Sequence, residues 1–278
     1  MSNITDYYNK VCKTYDKRRR AADAYVHKSL MENFTGKSIG DMDILDAGCG
    51  TGNYACYFLD HEPRSLTLVD ASDGMLSVAR EKLQSPNLKT KLSFKTGVLP
   101  NIPFEDNSFD SVMMNMVLHH LEIHVNPDGK SYSNIAKTMK EVYRVLKPRG
   151  VLIVTTLTPE QVEAYWFCHL VPGPLKQYAK KSPYHHQVKD MLTEAGLTLK
   201  AALNTLTTNH PGHDNLEGPL QENWRNHLLF WDTCSETEIQ DMVQRVQKMK
   251  EEGNLRDFYN THEKTHIFGA LQILAAQK

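Results

Sequence analysis

The sequence is poor in the features that signal secretion, metal binding or membrane insertion. Its five cysteines, Cys12, Cys49, Cys56, Cys168 and Cys234, are odd in number, scattered and never spaced CxxC. That pattern suggests neither a disulfide framework nor a thiolate zinc site and points to a reducing compartment. No apolar run approaches the roughly 18 residues a membrane span requires. The opening stretch, MSNITDYYNKVCKTYDKRRR, has no apolar core of a signal peptide, so a cytoplasmic location is expected. The formal net charge is −1, which gives no bulk attraction to nucleic acid or membrane. The one compact basic run, Lys17 to Arg20, reads either as a solvated helix face or as a patch for phosphate or carboxylate. His185, His186, His210, His213 and Asp214 lack the i, i+4 spacing of a helical metal site, and no metal is expected. Neither internal repeats nor low-complexity segments occur. What is present is a 278-residue chain, 40% hydrophobic and 23% charged, long enough to bury one large core without staples.

Along the chain, residues 4–36 read as helical. Short apolar runs then alternate with helical patterns. Strands are expected at 42–48, 65–70, 91–97, 108–118 and 151–157. Helices are expected at 54–61, 72–84 (capped by Ser72 or Asp73) and 133–150, the last ended by Pro148 and Gly150. The runs at strand positions, such as VLIVTTL, are continuously apolar, as strands buried on both faces are. This order predicts a doubly wound α/β protein with a mainly parallel sheet. Beyond it, 185–207 reads as a helix, Gly196 and a strand. Residues 208–234 read as a long loop or short helices, with His210, Pro211 and His227 among them. A helix opened by a capping box from Ser235 to Glu238 follows, and 266–276 is expected as a closing strand.

The stretch DILDAGCGTGNYA carries most of the functional signal. A strand ends in Asp46, and Gly48, Gly50 and Gly52 follow at alternate positions. Such a turn lets a ligand approach the backbone at the carboxyl edge of an open sheet. An acid before the glycines would repel a pyrophosphate and suits a cationic or amine-bearing ligand. Asp70 closes the next strand, where a carboxylate can accept from ribose hydroxyls. S-adenosylmethionine, which has a ribose and positive charge but no phosphate, fits such a site.

Five motifs in order, LDAGCGTGNYA, LVDASDGML, GVLPNIPFEDNSFDSV, NMVLHHLE and EVYRVLKPRGVLIV, cover about residues 42–157. On these the chain resembles the class I S-adenosylmethionine-dependent methyltransferases, in particular the small-molecule group that includes the ubiquinone and menaquinone enzymes. Its layout also resembles, more faintly, the histamine-type N-methyltransferases. The resemblance implies a Rossmann-like seven-stranded sheet with an antiparallel last strand beside the fifth. It implies an N-terminal helical lid at 1–40 and a methyltransferase domain at 41–278, with a substrate-cap insert at about 208–263. It also assigns cofactor-binding positions. Gly48, Cys49, Gly50 and Gly52 form the turn, with Asp46 near the methionine ammonium. Asp70 and Ala71 serve the ribose, and Met75 packs on adenine. Asn115 and Met116 lie at the methionine end, and Tyr15 faces the methionine carboxylate. Arg19 or Arg20 is a further partner for that carboxylate. Many relatives place an aspartate after the glycine that ends the third strand; here Gly97, Val98 and Leu99 stand, which leaves the adenine edge to the backbone N–H groups of Val98 and Leu99 and to packing.

The implied reaction is in-line transfer of a methyl group to an N or O nucleophile of a small molecule, in which alignment supplies most of the rate. His119 and His120, in VLHHLE, are the candidate bases, or one or both rings only pack. Tyr8, Tyr165, Trp166, Trp224 and Trp231 are candidate acceptor contacts, or they form the core of the cap. The alternatives are a tRNA or protein methyltransferase, which should show a broad basic face, and a non-catalytic binding partner, which should show a broken glycine turn.

Overall fold

The computed structural model describes residues 2–17, 19–122, 132–206, 212–226, 228 and 230–278. It opens with two helices rather than the single one expected over 4–36: α1 (Ser2–Tyr15) and α2 (Ala24–Thr35). Asp23 has φ 53°, a left-handed backbone that no continuous helix accommodates, and it turns the chain between them. Five strands then run parallel: β1 (Asp43–Ala47), β2 (Ser65–Asp70), β3 (Lys91–Thr96), β4 (Phe109–Asn115) and β5 (Leu146–Thr156). Helices α3 (Asn53–Leu59), α4 (Asp73–Leu83), α5 (Leu118–Leu121) and α6 (Ser133–Val145) connect them. Next come α7 (Pro159–Glu163), α8 (Pro172–Ala179), α9 (His185–Glu194) and β6 (Thr198–Thr205). After α10 (Glu222–Arg225), α11 (Glu236–Glu251), α12 (Leu255–His262) and α13 (Thr265–Phe268), the chain closes on β7 (Leu271–Gln277).

The sheet order is β3-β2-β1-β4-β5-β7-β6, with β7 antiparallel to both its neighbours, as the sequence resemblance implied. Order reverses between β1 and β4, the switch point where open α/β sheets bind ligands. Alternate residues serve opposite faces. Leu45, Val112 and Leu152 pack toward α6 and α9. Ile44, Met113 and Ile153 pack toward α2, α3 and α4. A third cluster, around Trp166, Phe167, Trp224 and Trp231, forms the core of the segment after β5.

Several expected boundaries shift. The helix expected over 133–150 ends at Val145, because Pro148 cannot donate to a helix and drives the residue before it to extended backbone; β5 therefore starts at Leu146. The closing strand starts at Leu271, not 266. The four residues of α13 come first, and Gly269 (φ 82°) turns the chain into the strand. The caps are as read: Ser72 Oγ accepts from Met75 N–H, and Ser235 forms a capping box with Glu238. His210, Pro211 and His227 lie outside the described residues. Of the 1–40 segment, only α1 lies over the switch point; Ala24 and Met31 of α2 are buried in the sheet core.

Candidate active site

A cavity of about 410 Å³ opens at the carboxyl ends of β1, β2 and β4, under α1. The glycine turn shapes its floor. Gly48 N–H and Cys49 N–H both donate to Val69 O, at 2.8 and 3.0 Å, and pull the turn back over β2. Gly48 has φ 79°, and a Cβ there would sit 2.4 Å from Val117 Cγ2. Gly48 and Gly50 line the cavity. Gly52 does not; a Cβ on it would meet Leu83 at 2.8 Å, so its smallness lets α4 approach β2. Cys49 is also off the wall, with its thiol toward Gly50 O and raised well above its usual range by burial. These two positions shape the fold around the cavity instead of facing it.

Asp70 lines the cavity and is held by its own backbone surroundings: Gly50 N–H donates to Oδ2 at 2.8 Å and Ser72 N–H to Oδ1 at 2.9 Å. Burial raises its carboxyl, against the lowering effect of these N–H groups. A carboxylate has about four acceptor positions, so two remain for ligand hydroxyls. Ala71, Ser72 and Met75 continue the wall. Gly97, Val98 and Leu99 form the facing side.

Asp46 is placed differently from its expected role. It is 1% exposed and does not line the cavity. Neither of its oxygens has a hydrogen-bond partner among the described residues. Burial, with the Asp70 carboxylate adding, pushes it up to about 8, so it is mostly protonated at neutral pH. The β4 end does face the cavity. Asn115 lines it, and its side-chain oxygen and nitrogen are both without a partner among the described residues. Met116 has φ 56°, rare for a side chain with a Cβ, and is tied down by its N–H donating to Thr155 O at 2.8 Å.

The two histidines separate. His120 lines the cavity, and its Nε2 is 2.7 Å from Tyr8 Oη of α1. His119 is 5% exposed, turned into the core and absent from the wall; its ring lies 6.1 Å from that of Tyr178. Burial drives His119 well below the usual imidazole range and His120 to about 3. The candidate base is therefore His120, not His119, because one turn of α5 can present only one of two successive rings to the ligand.

Tyr8 and Tyr15 line the main cavity. Tyr165 lines a smaller one of about 50 Å³ that shares Met116 with the first. The tryptophans line neither. Trp166 is fully buried and donates from Nε1 to His213 O at 2.7 Å; Trp224 donates to Gly212 O at 2.9 Å; Trp231 packs on Phe230. They form the core of the segment after β5, where large rings exclude water. Sequence reasoning missed Asn9, whose Oδ1 accepts from Ser72 Oγ at 2.6 Å and Gly74 N–H at 3.1 Å and docks α1. It also missed Tyr178, on the wall of the smaller cavity. Neither carries a motif signal.

A protein-family model described as a methyltransferase domain matches residues 45–154. Residues 45–154 are thus a methyltransferase domain, similar to those of the class I S-adenosylmethionine-dependent enzymes. The domain is similar to demethylmenaquinone methyltransferase of Bacteroides fragilis, 27% identical over 160 residues, 56% of this chain and 60% of the relative. The enzyme of the same name from Shouchella clausii is 26% identical over 239 residues, 75% of this chain and 95% of that one. The first of these matches thus spans about three fifths of the relative's length. Among solved structures, one described as a methyltransferase from an antibiotic biosynthesis pathway of Anabaena variabilis superposes with TM-score 0.69 at 16% identity, covering 91% of this chain and 97% of that one. The cyclase SpnF superposes with TM-score 0.55 at 19% identity, covering 91% and 80%. At these identities the structural likeness speaks for the fold alone, and a cyclase shares it.

The methyltransferase domain fits its family's cofactor. Asp70 keeps acceptor capacity for a ribose diol, and the unpartnered amide of Asn115 stands at the far end of the same cavity. Gly50 is open to the ligand side, with only the Tyr15 ring, at 3.9 Å, within reach of a Cβ. Val98 is 44% exposed and offers adenine an apolar surface with no side-chain acceptor. Among the described residues no group of three or more His, Cys, Asp or Glu side chains could hold a metal.

Proposed function

We propose that this protein transfers the methyl group of S-adenosylmethionine to an N or O nucleophile of a small molecule. The observation that carries the reading is one cavity with an acceptor carboxylate, Asp70, at one end and the Tyr8–His120 pair at the other. The bound cofactor supplies a methyl group on a positively charged sulfur, open to in-line displacement. Asp70 would take the ribose hydroxyls, Met75 and Val98 the adenine faces, and Asn115 with Met116 the amino-acid end. Helix α1 closes over the site and keeps water from competing with the acceptor.

His120 is neutral at physiological pH, so one ring nitrogen can accept a proton. It is a weak base in this setting. It takes the acceptor's proton only as the bond to the methyl forms and the N–H or O–H becomes acidic. Tyr8 holds the ring at Nε2 and fixes its orientation. Alignment supplies the larger share of the rate, on the order of 7–11 kcal/mol.

The test is a metabolite extract incubated with the protein and cofactor labelled in the methyl group. A labelled small product is expected. His120→Ala should lower its rate by about 10²–10⁴-fold with S-adenosylhomocysteine affinity retained. Label appearing only in RNA or protein would overturn the small-molecule reading, and unchanged turnover would remove His120 from the reaction.

A further inference from the structure

Helix α1 brings to the main cavity a charged side chain that the proposed reaction does not use. Thr5 and Asp6 line the wall near the start of the helix, and Tyr15 lines it at the end. Asp6 and Asp70 are the carboxylates on that wall, and no described lysine or arginine lines it. Asp70 already accepts from Gly50 N–H and Ser72 N–H. Asp6 is exposed and makes no hydrogen bond or ion pair among the described residues, so its oxygens are open to a donor on a ligand.

The docking of α1 fixes which end of the cavity Asp6 faces. Tyr15 stands at the glycine turn, its ring 3.9 Å from a Cβ placed on Gly50. Asp6 is toward the other end of the helix, about 14 Å away along the axis. It shares a flank with Asn9, one turn on. Asn9 Oδ1 accepts from Ser72 Oγ at 2.6 Å and Gly74 N–H at 3.1 Å, while Tyr8 lies on the other flank and meets His120. Asp73, beside Gly74, accepts from Thr96 Oγ1 and ties this flank to the end of β3, where Gly97, Val98 and Leu99 continue the wall. Asp6 thus faces the β3 end. None of those three residues has a side-chain acceptor, whereas the exocyclic amine of adenine presents N–H donors. The Thr5 hydroxyl can donate or accept, so it does not tell an amine from a carbonyl; an ionised carboxylate only accepts, so it does.

We propose that Asp6 reads the 6-amino group of the cofactor's adenine, helix α1 supplying the acceptor that Gly97, Val98 and Leu99 lack. The inference rests on the methyltransferase reading, in which Met75 and Val98 take the adenine faces, and adds to it a base-specific contact from the helix that closes the site. Asp6 is then a specificity residue: it accepts from the amine of adenine and repels the carbonyl oxygen of hypoxanthine.

Calorimetry with two ligands separates this inference from the reading beneath it. One is S-adenosylhomocysteine. The other is S-inosylhomocysteine, with a carbonyl oxygen in place of the 6-amino group. Micromolar or tighter binding of the first by the wild type supports the reading, and the wild type should prefer it to the second by about tenfold or more. Backbone N–H groups of Val98 and Leu99 also favour adenine, so the deciding quantity is how the ratio of the two affinities changes in Asp6 variants. Asp6→Asn, whose amide can turn to suit either base, and Asp6→Ala should each lower the ratio by about fivefold or more. A side chain that only docks α1 would weaken both ligands alike and leave the ratio where it was. An unchanged ratio in both variants, or equal binding of the two ligands by the wild type, would overturn the proposal while leaving the cofactor result intact. Failure of the wild type to bind S-adenosylhomocysteine would overturn both.

Discussion

Asp70 is held by Gly50 N–H and Ser72 N–H before any ligand arrives, so its position costs nothing to organise on binding. Asp70→Asn keeps the shape and loses the charge, and should weaken S-adenosylhomocysteine binding by about 1.5–3 kcal/mol, read by calorimetry; unchanged affinity would take Asp70 off the ribose. His120 makes a different kind of statement. Its pKa of about 3 comes first from burial, with the Lys181 and Arg19 cations pushing the same way. A solvated imidazole would lose activity as pH fell through about 6.5. Here the transfer rate at saturating acceptor should stay level from pH 8 to pH 5 on His120's account, and an acid limb centred near 6.5 would show that the ring titrates in water.

At the scale of elements, α1 is the loosest part of the site. Cys12 is the one buried side chain among its residues 5–15. What docks it is polar: Asn9 to Ser72 and Gly74, Tyr8 to His120, Tyr7 to Asp232, and Asp16 to Lys82 at 2.8 Å. An element with few buried apolar contacts opens at low free-energy cost. Adding S-adenosylhomocysteine should therefore slow amide hydrogen exchange in α1 far more than in β1, β4 and β5, measured by mass spectrometry of peptides. Equal slowing in helix and sheet would mean that α1 does not open to admit the ligand. Helix α2, adjacent in sequence, is a core element. Its His27 is fully buried, stacks on Tyr54 at 4.9 Å and bonds Thr155 Oγ1 at 2.8 Å.

For the whole molecule, the two ends of the sheet are electrostatically opposite. At the amino end, Asp43 and Asp110 are surrounded by Arg64 and Lys147, with Lys37 also on Asp110. Burial alone would raise the Asp110 carboxyl, but the Asp43 N–H and the Lys147 and Lys37 ammonium groups outweigh it and hold it below the usual range. At the carboxyl end, Asp46 is buried and Asp70 half-buried, no salt bridge to either occurs among the described residues, and both are raised. The signs follow. Asp46, folded at about 8 against about 3.9 unfolded, favours the fold below pH 4 and loses that contribution as pH rises toward 8. His27, folded at about 3 against about 6.5, contributes above pH 6.5 and loses it as pH falls toward 3. Asp46→Asn should therefore gain stability over the wild type as pH rises from 5 to 8, by at most about 4 kcal/mol, seen in urea denaturation of the ligand-free protein. A difference independent of pH would place the Asp46 carboxyl in the normal range.

Much of this protein is local chemistry and was legible as such. Glycine positions, apolar strand runs, Asp46 and Asp70 at strand ends and the capping residues depend on neighbours a few positions away. From them the sheet, its switch point and the glycine turn follow, and the motif order supplied the antiparallel last strand. What the tertiary structure decided depends on which way a side chain points when several elements meet. His119 and His120 are adjacent and chemically alike, yet α5 turns one ring to the cavity and the other into the core. Trp166, Trp224 and Trp231 have the composition of an acceptor site, but packing against one another removes them from it. Gly52 belongs to the same motif as Gly48 and serves helix packing instead of the ligand. Arg19 reads as part of a basic run, either a solvated face or a phosphate or carboxylate patch, until Asp23 breaks the helix. The chain then carries it to the wall of the smaller cavity with Tyr165 and Tyr178, a convergence that no local pattern encodes.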